Sequence, residues 1–284
     1  MKNKAAIMIL LGLMSAVEGK SQDHQINKRQ VLDQKTTVIN LLKSFESGNT
    51  ESLNSIHPNT YKQHNLQVAD GYEGFKDFFN SIPHEKTKVQ TIRVFQDGAY
   101  VFTHTDYDLF GQSIGFDIFR FADGKIVEHW DNLQERPAKP NPSGRSMIDG
   151  ITVVQDLDKT DTNKHLVRSF VEEILVKGNL DKIQDYFEGD NYLQHNPIIP
   201  DQISGLKQSL ATMAEKGITM EYDKIHLVLG EGNFALVVSE GKLANIHTSF
   251  YDLFRVENGK IAEHWDTIET IPAEEHWKNT NGKF

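Results

Sequence analysis

The sequence has 284 residues, a net charge of −10 and an apolar fraction of 38%. The excess of acidic residues argues against nucleic acid or an anionic membrane surface as a partner, because both require a positively charged protein surface. The chain contains no cysteine, which excludes disulfides, lipidated cysteines and thiol chemistry.

The first residues have the pattern of an export signal. Lys2 and Lys4 form a basic start, and residues 5–14 form an apolar run that is too short to span a bilayer. We predict a signal peptide over residues 1–19, an exported (periplasmic or secreted) protein, and no membrane span after cleavage. An uncleaved anchor is the alternative.

The segment that follows predicts helices first and strands afterwards. Apolar residues recur at helical spacing from Val31 to Phe45, and Gly48 marks the end of this helix. Further helices are predicted over residues 51–56 and 72–82. Four strands separated by turn residues are predicted over residues 88–96, 99–107, 113–121 and 125–134. Helices that precede an antiparallel meander are typical of an α+β fold.

The same unit occurs a second time. GKIVEHWD at residues 124–131 returns as GKIAEHWD at 259–266, and the Gln-His-Asn triplet at 63–65 returns at 194–196. A repeat of this length indicates two globular domains and not a solenoid. The predicted order is domain 1 at residues 31–135, a linker that wraps the molecule at 136–162, domain 2 at 163–270, and a tail at 271–284. Residues 151–154 of the linker could form a short strand.

Each domain is predicted to be a cone, in which a strongly bent sheet wraps around its N-terminal helices. Side chains alternate between the two faces of a strand. The concave face should carry more aromatic bulk and no cation, which selects Asp117 with Phe119 and Glu128 with Trp130. His129 then falls on the opposite face.

On that opposite face, Asp131 and Arg120 join His129 in a predicted surface or interface cluster. A β-bulge would exchange the two faces.

Two carboxylates in an apolar funnel suit proton transfer, because apolar surroundings raise the pKa of a carboxylic acid. Val238 stands where the first copy has His104, so the first copy is the better equipped for acid/base chemistry. A purely structural role for these residues is the alternative. The candidate catalytic residues are Asp117, Glu128, His64 and His104. The candidate ligand-binding residues are Tyr61, Phe119 and Trp130 in the first copy and Tyr192, His195, Asp252, Glu263 and Trp265 in the second.

No metal site and no cofactor are predicted. HxxxH and HxH spacings are absent, and a zinc site built from His64, His104 and Glu128 would need three separate elements to converge. The phosphate-binding G-x-G-x-x-G and the nucleophile motif G-x-S-x-G are also absent.

The QHN triplet, the run FDIFRFADGKIVEHWD and its copy FYDLFRVENGKIAEHWD resemble SnoaL-like domains of the nuclear transport factor 2-like superfamily. The resemblance implies two tandem cone-shaped α+β barrels with internal pockets. It also implies pairing through the sheets, here as an internal pseudo-dimer of the two copies, and a homodimer is compatible with it. Founding members are polyketide cyclases that use an acidic residue and no cofactor. The corresponding acid here would be Asp117, Glu128 or Asp131, with His64 and His104 assisting.

Two functions follow as hypotheses. The first is a cofactor-independent acid/base catalyst of the cyclase or isomerase type, which closes rings by aldol condensation or moves a proton in a small apolar carbonyl compound. The second is a non-catalytic, exported module that binds a small apolar ligand. Fold alone does not decide between them.

Overall fold

The computed structural model describes residues 34–284. The predicted signal peptide and the start of the first helix lie outside these residues, so export stays a prediction. Within the described part of the chain, no helix is long and apolar enough to cross a membrane.

The first half consists of two helices and a five-stranded sheet. Helix α1 covers residues 34–47 and ends at Gly48, whose φ of +68° is the left-handed conformation that commonly terminates helices. Helix α2 covers Gly71–Ser81. The strands are β1 (Lys62–Gln63), β2 (Lys88–Asp97), β3 (Tyr100–Asp108), β4 (Gln112–Ala122) and β5 (Lys125–Glu135), in the sheet order β1-β5-β4-β3-β2.

The second half repeats this order. Helix α3 (Thr160–Phe170) continues into a π-helical turn at Val171–Val176, and α4 covers Ile203–Glu215. The strands are β6 (Leu193–Gln194), β7 (Met220–Glu231), β8 (Phe234–Leu243), β9 (Ile246–Glu257) and β10 (Lys260–Thr270), in the order β6-β10-β9-β8-β7. The α+β class and the two sheet-bearing halves are therefore as predicted.

Each sheet packs its concave face on the helices of its own half. In the first half, Leu41 and Phe45 of α1 and Phe79 of α2 meet Val101 and Phe119 of the sheet. In the second half, Val167 and Phe170 of α3 meet Val237, Phe250 and Phe254. These two cores make the two cones.

The convex faces of the two sheets pack against each other. Phe95 stacks on Phe102 within the first sheet and contacts Phe234 of the second, with ring centroids 4.9 Å apart in both pairs. Trp265 is fully buried in this layer. Because aromatic side chains of the two sheets are in direct contact, the two halves share a third hydrophobic core.

The segments that follow the two sheets are exchanged between the halves. Asn141 of the linker donates through Nδ2 to Gln194 O (2.7 Å) and Ile199 O (3.0 Å) of the second half. Asn279 of the tail donates in the same way to Asn65 O (2.8 Å) and Val68 O (3.0 Å) of the first half. The linker and the tail therefore act as reciprocal straps.

Most predicted elements agree with the observed ones to within a few residues, but the short strands β1 and β6 were not predicted, and some predicted elements differ in type. Residues 50–55 form a 3₁₀ helix where an ordinary helix was predicted. Residues 151–154 form no strand; Ile151 O accepts a hydrogen bond from Arg93 of the first half, and Val154 lies beside Gly232 of the second.

Candidate functional site

The two repeated motifs meet because β1 pairs with β5 in parallel. Lys62 lies opposite Glu128, and Gln63 lies opposite His129. The second half has the same register, with Gln194 opposite His264. The QHN triplet therefore runs beside EHWD, and each polar residue of the triplet finds a partner there.

A β-bulge in β5 decides which partners face the cone. Phe121 pairs with Ile126 and Arg120 pairs with Glu128, so Val127 is an extra residue. Beyond the bulge the side-chain alternation is reversed. The second sheet contains the same irregularity between Ile261 and Glu263.

The prediction that Glu128 and Trp130 share the concave face with Asp117 and Phe119 is therefore wrong. Strand β4 has no bulge in this stretch, and Asp117 and Phe119 do line the cone, as predicted. On β5, His129 and Asp131 face inward in place of Glu128 and Trp130. The polar cluster predicted for the surface or interface is thus divided, since Arg120 stays outside with Glu128.

The first cone contains a triad of Asp117, His129 and Asp131, which we call the inner triad. His129 Nε2 lies 3.3 Å from Asp117 Oδ1. Tyr107 donates its hydroxyl to Asp117 Oδ2 at 2.7 Å, and Asn65 donates to Asp131 Oδ2 at 2.6 Å. All three triad residues are buried.

The tautomer of His129 follows from its neighbours. Gln63 Oε1 accepts the backbone N–H of Asn65 (2.9 Å), which fixes the orientation of the amide. The same oxygen lies 3.0 Å from His129 Nδ1, so Nδ1 carries a proton and donates it. His129 Nε2 is then the ring nitrogen that faces Asp117 Oδ1.

Asp131 keeps one oxygen unsatisfied. Its Oδ1 is buried and has no hydrogen-bond donor among the described residues. The nearest cation is Lys283 of the tail, whose Nζ lies 3.9 Å from this oxygen and 2.7 Å from Glu269. The strap from the second half thus places a positive charge beside the triad of the first.

The triad lines a small, mainly apolar cavity. Its volume is about 40 Å³, sufficient for water or a very small group without movement of the walls. Its apolar wall is formed by Leu42, Phe45, Val68, Phe75, Phe78, Leu109, Phe119 and Leu133.

The second cone contains the equivalent triad of Asp252, His264 and Asp266. His264 Nε2 lies 3.0 Å from Asp252 Oδ1, and His264 Nδ1 donates to Gln194 Oε1 at 2.9 Å. Burial, partly offset by the charge of His264 and reinforced by that of Asp252, raises the pKa of Asp266 to about 6. As in the first cone, the free carboxylate oxygen, here Asp266 Oδ1, is buried and has no hydrogen-bond donor among the residues that the structure describes.

His64, predicted as catalytic, lies outside the cone in an outer cluster with Glu128, Trp130 and Arg120. Its ring stacks on Trp130 at 4.7 Å, and its Nε2 lies 3.1 Å from Glu128 Oε1. Arg120 Nη2 lies 2.6 Å from Glu128 Oε2. Burial opposes ionisation of Glu128, but the hydrogen bonds from Arg120 and His64 outweigh it and lower the pKa. His64 Nδ1 contacts Gly282 O of the tail at 2.9 Å.

The second outer cluster contains His195, Glu263, Trp265 and Arg255. The side chains of His195 and Glu263 are fully buried and lie 2.9 Å apart. Hydrogen bonds from His195 and Arg255 overcome the effect of burial and lower the pKa of Glu263. Here the linker supplies the cover, since His195 Nδ1 lies 2.8 Å from Ser146 O.

The remaining residues predicted to form the site lie in several different parts of the molecule. Tyr61 and Tyr192 belong to the two concave cores, and burial raises the pKa of each well above the usual value. His104 lies on the convex face, stacked on Phe116 and 3.0 Å from Arg93 Nη1. Asp252 lines the second cone, whereas His195, Glu263 and Trp265 lie outside it. His64, His104 and Glu128 do not converge on one site.

The sequence alone did not reveal the roles of three groups of residues. These are the amides Gln63 and Asn65, the inner tyrosines Tyr107 and Tyr222, and Lys283. A signal for the straps was present, since Asn141, Gly144 and Arg145 recur in the same spacing as Asn279, Gly282 and Lys283. The inner triad was hidden by the bulge.

Comparison with known proteins identifies the family of one half of the chain. Residues 167–264 match the family model for a SnoaL-like domain. The second half is a SnoaL-like domain. The matched SnoaL-like segment begins in α3 and ends at His264, a member of the inner triad. No curated protein matches the chain.

Solved structures with similar halves include three bacterial proteins. TsrD from Streptomyces laurentii is 17% identical, with a TM-score of 0.32, and the match covers 36% of this chain and 89% of TsrD. An LEH-like epoxide hydrolase of M. tuberculosis is 15% identical over 37% and 84% of the two chains, with a TM-score of 0.32. An NTF2-like protein from Burkholderia xenovorans LB400 is 16% identical over 39% and 92%, with a TM-score of 0.31.

Proposed function

We propose that the protein is a cofactor-independent acid/base catalyst of the cyclase or isomerase type, and that its first cone acts on a small, largely apolar carbonyl compound. The observation that carries this proposal is Asp131 Oδ1, a buried carboxylate oxygen that has no hydrogen-bond donor within residues 34–284, at a cavity that also holds the His129–Asp117 pair. The proposal includes a SnoaL-like assignment for the first half, which shares the topology and motifs of the second.

Asp131 has the chemistry of a general base. A carboxylate that is not engaged by donors is free to accept a proton from carbon, and the apolar wall keeps competing water away. Asn65 holds the other oxygen at 2.6 Å and so fixes the direction of the free one.

The His129–Asp117 pair would act on the carbonyl oxygen. When Asp131 removes an α-proton, negative charge develops on that oxygen, and a proton held between His129 and Asp117 would be transferred to it. In the isomerisation of an unsaturated carbonyl compound, Asp131 then gives its proton to the γ-carbon, and the enol oxygen returns its proton to the His129–Asp117 pair. In a condensation, the enol carbon attacks a second carbonyl, whose oxygen takes the proton from Asp131, and the enol oxygen again returns its proton to the pair. Tyr107 and Thr103, which donate to Asp117 Oδ2 at 2.7 and 3.3 Å, stabilise the charge left on Asp117.

The cavity limits the ligand. A volume of about 40 Å³ holds only a very small group, so any larger carbonyl compound requires the partly buried Phe78 and Leu109 to move. Most of the wall is hydrophobic, which favours apolar substituents beside the reacting carbonyl.

The test is α-proton exchange in D₂O. Small ketones, aldehydes and β-dicarbonyl compounds are incubated with the protein, and deuterium uptake at the α-carbon is followed by ¹H NMR. We expect wild-type protein to catalyse exchange of at least one class, and Asp131→Asn to slow it by about 10²–10⁴-fold, the usual contribution of a general base.

Asp266→Asn is the matched control, since it makes the same change in the second cone. Its exchange rate should stay close to that of wild type. Absence of exchange with wild-type protein, or equal loss in both variants, would contradict the proposal. Ligand binding by saturation-transfer NMR that survives Asp131→Asn without any exchange would instead indicate the non-catalytic binding module.

A further inference from the structure

The second cone has the same inner triad as the first but lacks its cation. Lys283 lies 3.9 Å from Asp131 in the first cone. Within residues 34–284, no lysine or arginine forms an ion pair with Asp252 or Asp266, and the only ion-pair partner of Asp252 is His264. Two buried carboxylates and one imidazole therefore face each other without a compensating side chain.

The carboxylate oxygens of the second triad are also less well satisfied. Asp117 receives a short hydrogen bond from Tyr107 (2.7 Å) and one from Thr103. Apart from His264, Asp252 has among the described residues a long, divided contact with Tyr222, at 3.3 Å to each oxygen, and Val237 stands where the first half has Thr103.

Asp266 supplies a second, independent indication of a ligand. Its Oδ1 is buried and meets no hydrogen-bond donor in the described part of the chain, and the residue is only 6% exposed. Buried carboxylate oxygens of this kind are costly unless a donor or a cation meets them.

His264 is arranged as a metal-binding histidine. Its Nδ1–H donates to Gln194 Oε1, which leaves Nε2 as the ring nitrogen that faces Asp252, and metal-ligating histidines are oriented by an outer hydrogen bond of this type. Nε2 and Asp252 Oδ1 are 3.0 Å apart. Two ligands of one tetrahedral zinc ion, each about 2.0–2.1 Å from the metal, are separated by about 3.3 Å, so this pair would need to open only slightly.

We propose that the second cone binds a divalent metal ion through Asp252, His264 and Asp266. One potential ligand atom from each residue lies within 4.8 Å of the others, so small side-chain rotations close the site. An imidazole with two carboxylates suits zinc or manganese better than magnesium or calcium. The inference concerns the second cone and does not depend on the acid/base function proposed for the first.

Metal binding is tested by titrating chelator-treated, full-length protein with Zn²⁺ in a calorimeter. We expect one site per chain and a rise in the melting temperature on binding, because the ion stabilises the folded state. His264→Gln and Asp266→Asn should each weaken binding by more than about 100-fold, since loss of an outer-shell partner alone costs about 10–100-fold.

The controls are the equivalent changes in the first cone, His129→Gln and Asp131→Asn, which should leave zinc affinity within about twofold. A surface cluster, in which His226 and His247 each lie 2.8 Å from Glu240, is the competing place for zinc. Binding that disappears in the double variant H226Q/H247Q, or in the first-cone variants, would overturn the proposal. Failure of wild-type protein to bind zinc or manganese would also overturn it.

A measurement without substitutions removes the risk that a variant misfolds. Anomalous diffraction at the zinc edge, from wild-type crystals grown with zinc, locates the ion directly. Density between Asp252, His264 and Asp266 supports the proposal, whereas density only at His226 and His247 or in the first cone refutes it.

Discussion

The two cones contain the same polar residues but compensate their charge differently. In the first, Lys283 of the tail approaches Asp131, and Tyr107 holds Asp117 with a short hydrogen bond. In the second, the triad has neither a lysine nor a short tyrosine contact among the described residues. The two halves therefore share the triad but differ in the partners that surround it.

The tyrosines that contact the two triads, Tyr107 and Tyr222, lie on different strands of their sheets. Tyr107 of β3 lies opposite Val89 of β2, whereas the equivalent pair in the second half is Gly241 of β8 opposite Tyr222 of β7. The tyrosine hydroxyl therefore reaches Asp117 from β3 in the first half, whereas it reaches Asp252 from β7 in the second. Gly241 is required there, because an added Cβ would lie 1.9 Å from Glu221 O.

The outer clusters differ in burial, and here the second half is the more tightly enclosed. The side chains of Glu263 and His195 are fully buried, whereas those of the equivalent Glu128 and His64 are 13% and 7% exposed. Trp265 also has two further contacts. Its Nε1 donates to Asp149 O of the linker at 2.9 Å, and Arg93 of β2 lies 4.2 Å above its ring. The second outer cluster is therefore the better-packed one.

The largest effect is expected from removing the tryptophan of that cluster. Trp265→Ala should lower the free energy of unfolding by about 3–5 kcal/mol, the usual cost of a buried aromatic cavity. Trp130→Ala should cost clearly less, because Trp130 is only partly buried. Urea unfolding of both variants measures the difference. Equal losses would mean that the two outer clusters contribute alike to stability.

A smaller effect is expected from the inner tyrosines. Tyr107→Phe removes a 2.7 Å hydrogen bond to a buried carboxylate and should cost about 1.5–3 kcal/mol. Tyr222→Phe removes only contacts of 3.3 Å and should cost less than about 1 kcal/mol. Denaturant midpoints at one pH compare the two. A larger loss for Tyr222→Phe would contradict the contrast drawn between the cones.

Much of the fold could be predicted from the sequence. The repeat of EHWD and QHN indicated two similar units, and the turns at Asp97-Gly98 and Asp123-Gly124 separated the strands correctly. These signals are local, so short segments suffice to detect them. The exchange of the straps depends on contacts between distant segments, which local patterns do not encode.

The site was predicted only in part, and one residue explains most of the error. Asp117 and Phe119 were placed correctly because β4 follows simple alternation. Val127 forms a bulge that reverses β5, which moved Glu128 out of the cone and His129 and Asp131 into it. Neither Val127 nor its equivalent Ala262 has a side chain that signals a bulge, so the periodicity could not reveal it.

The smallest effect concerns His104, which Val238 replaces in the second half. Burial, reinforced by the nearby charges of Arg93 and His195, lowers the pKa of His104 well below 6.5. Below that pH the unfolded chain binds a proton that folded His104 does not, so stability falls as the pH decreases. The Nε2 atom is buried without a hydrogen-bond partner, in keeping with a neutral ring.

His104→Val should therefore flatten the dependence of unfolding free energy on pH below 6.5, by at most about 1.4 kcal/mol per pH unit for one proton. The variant also loses the hydrogen bond from Arg93, but that loss is independent of pH in this range, because burial lowers the pKa of Arg93 only to about 10. Urea unfolding from about pH 5 to pH 8 measures the slope, and exposed His165→Gln is the control. A slope unchanged in His104→Val would mean that groups other than His104 cause the pH dependence of the unfolding free energy in this range.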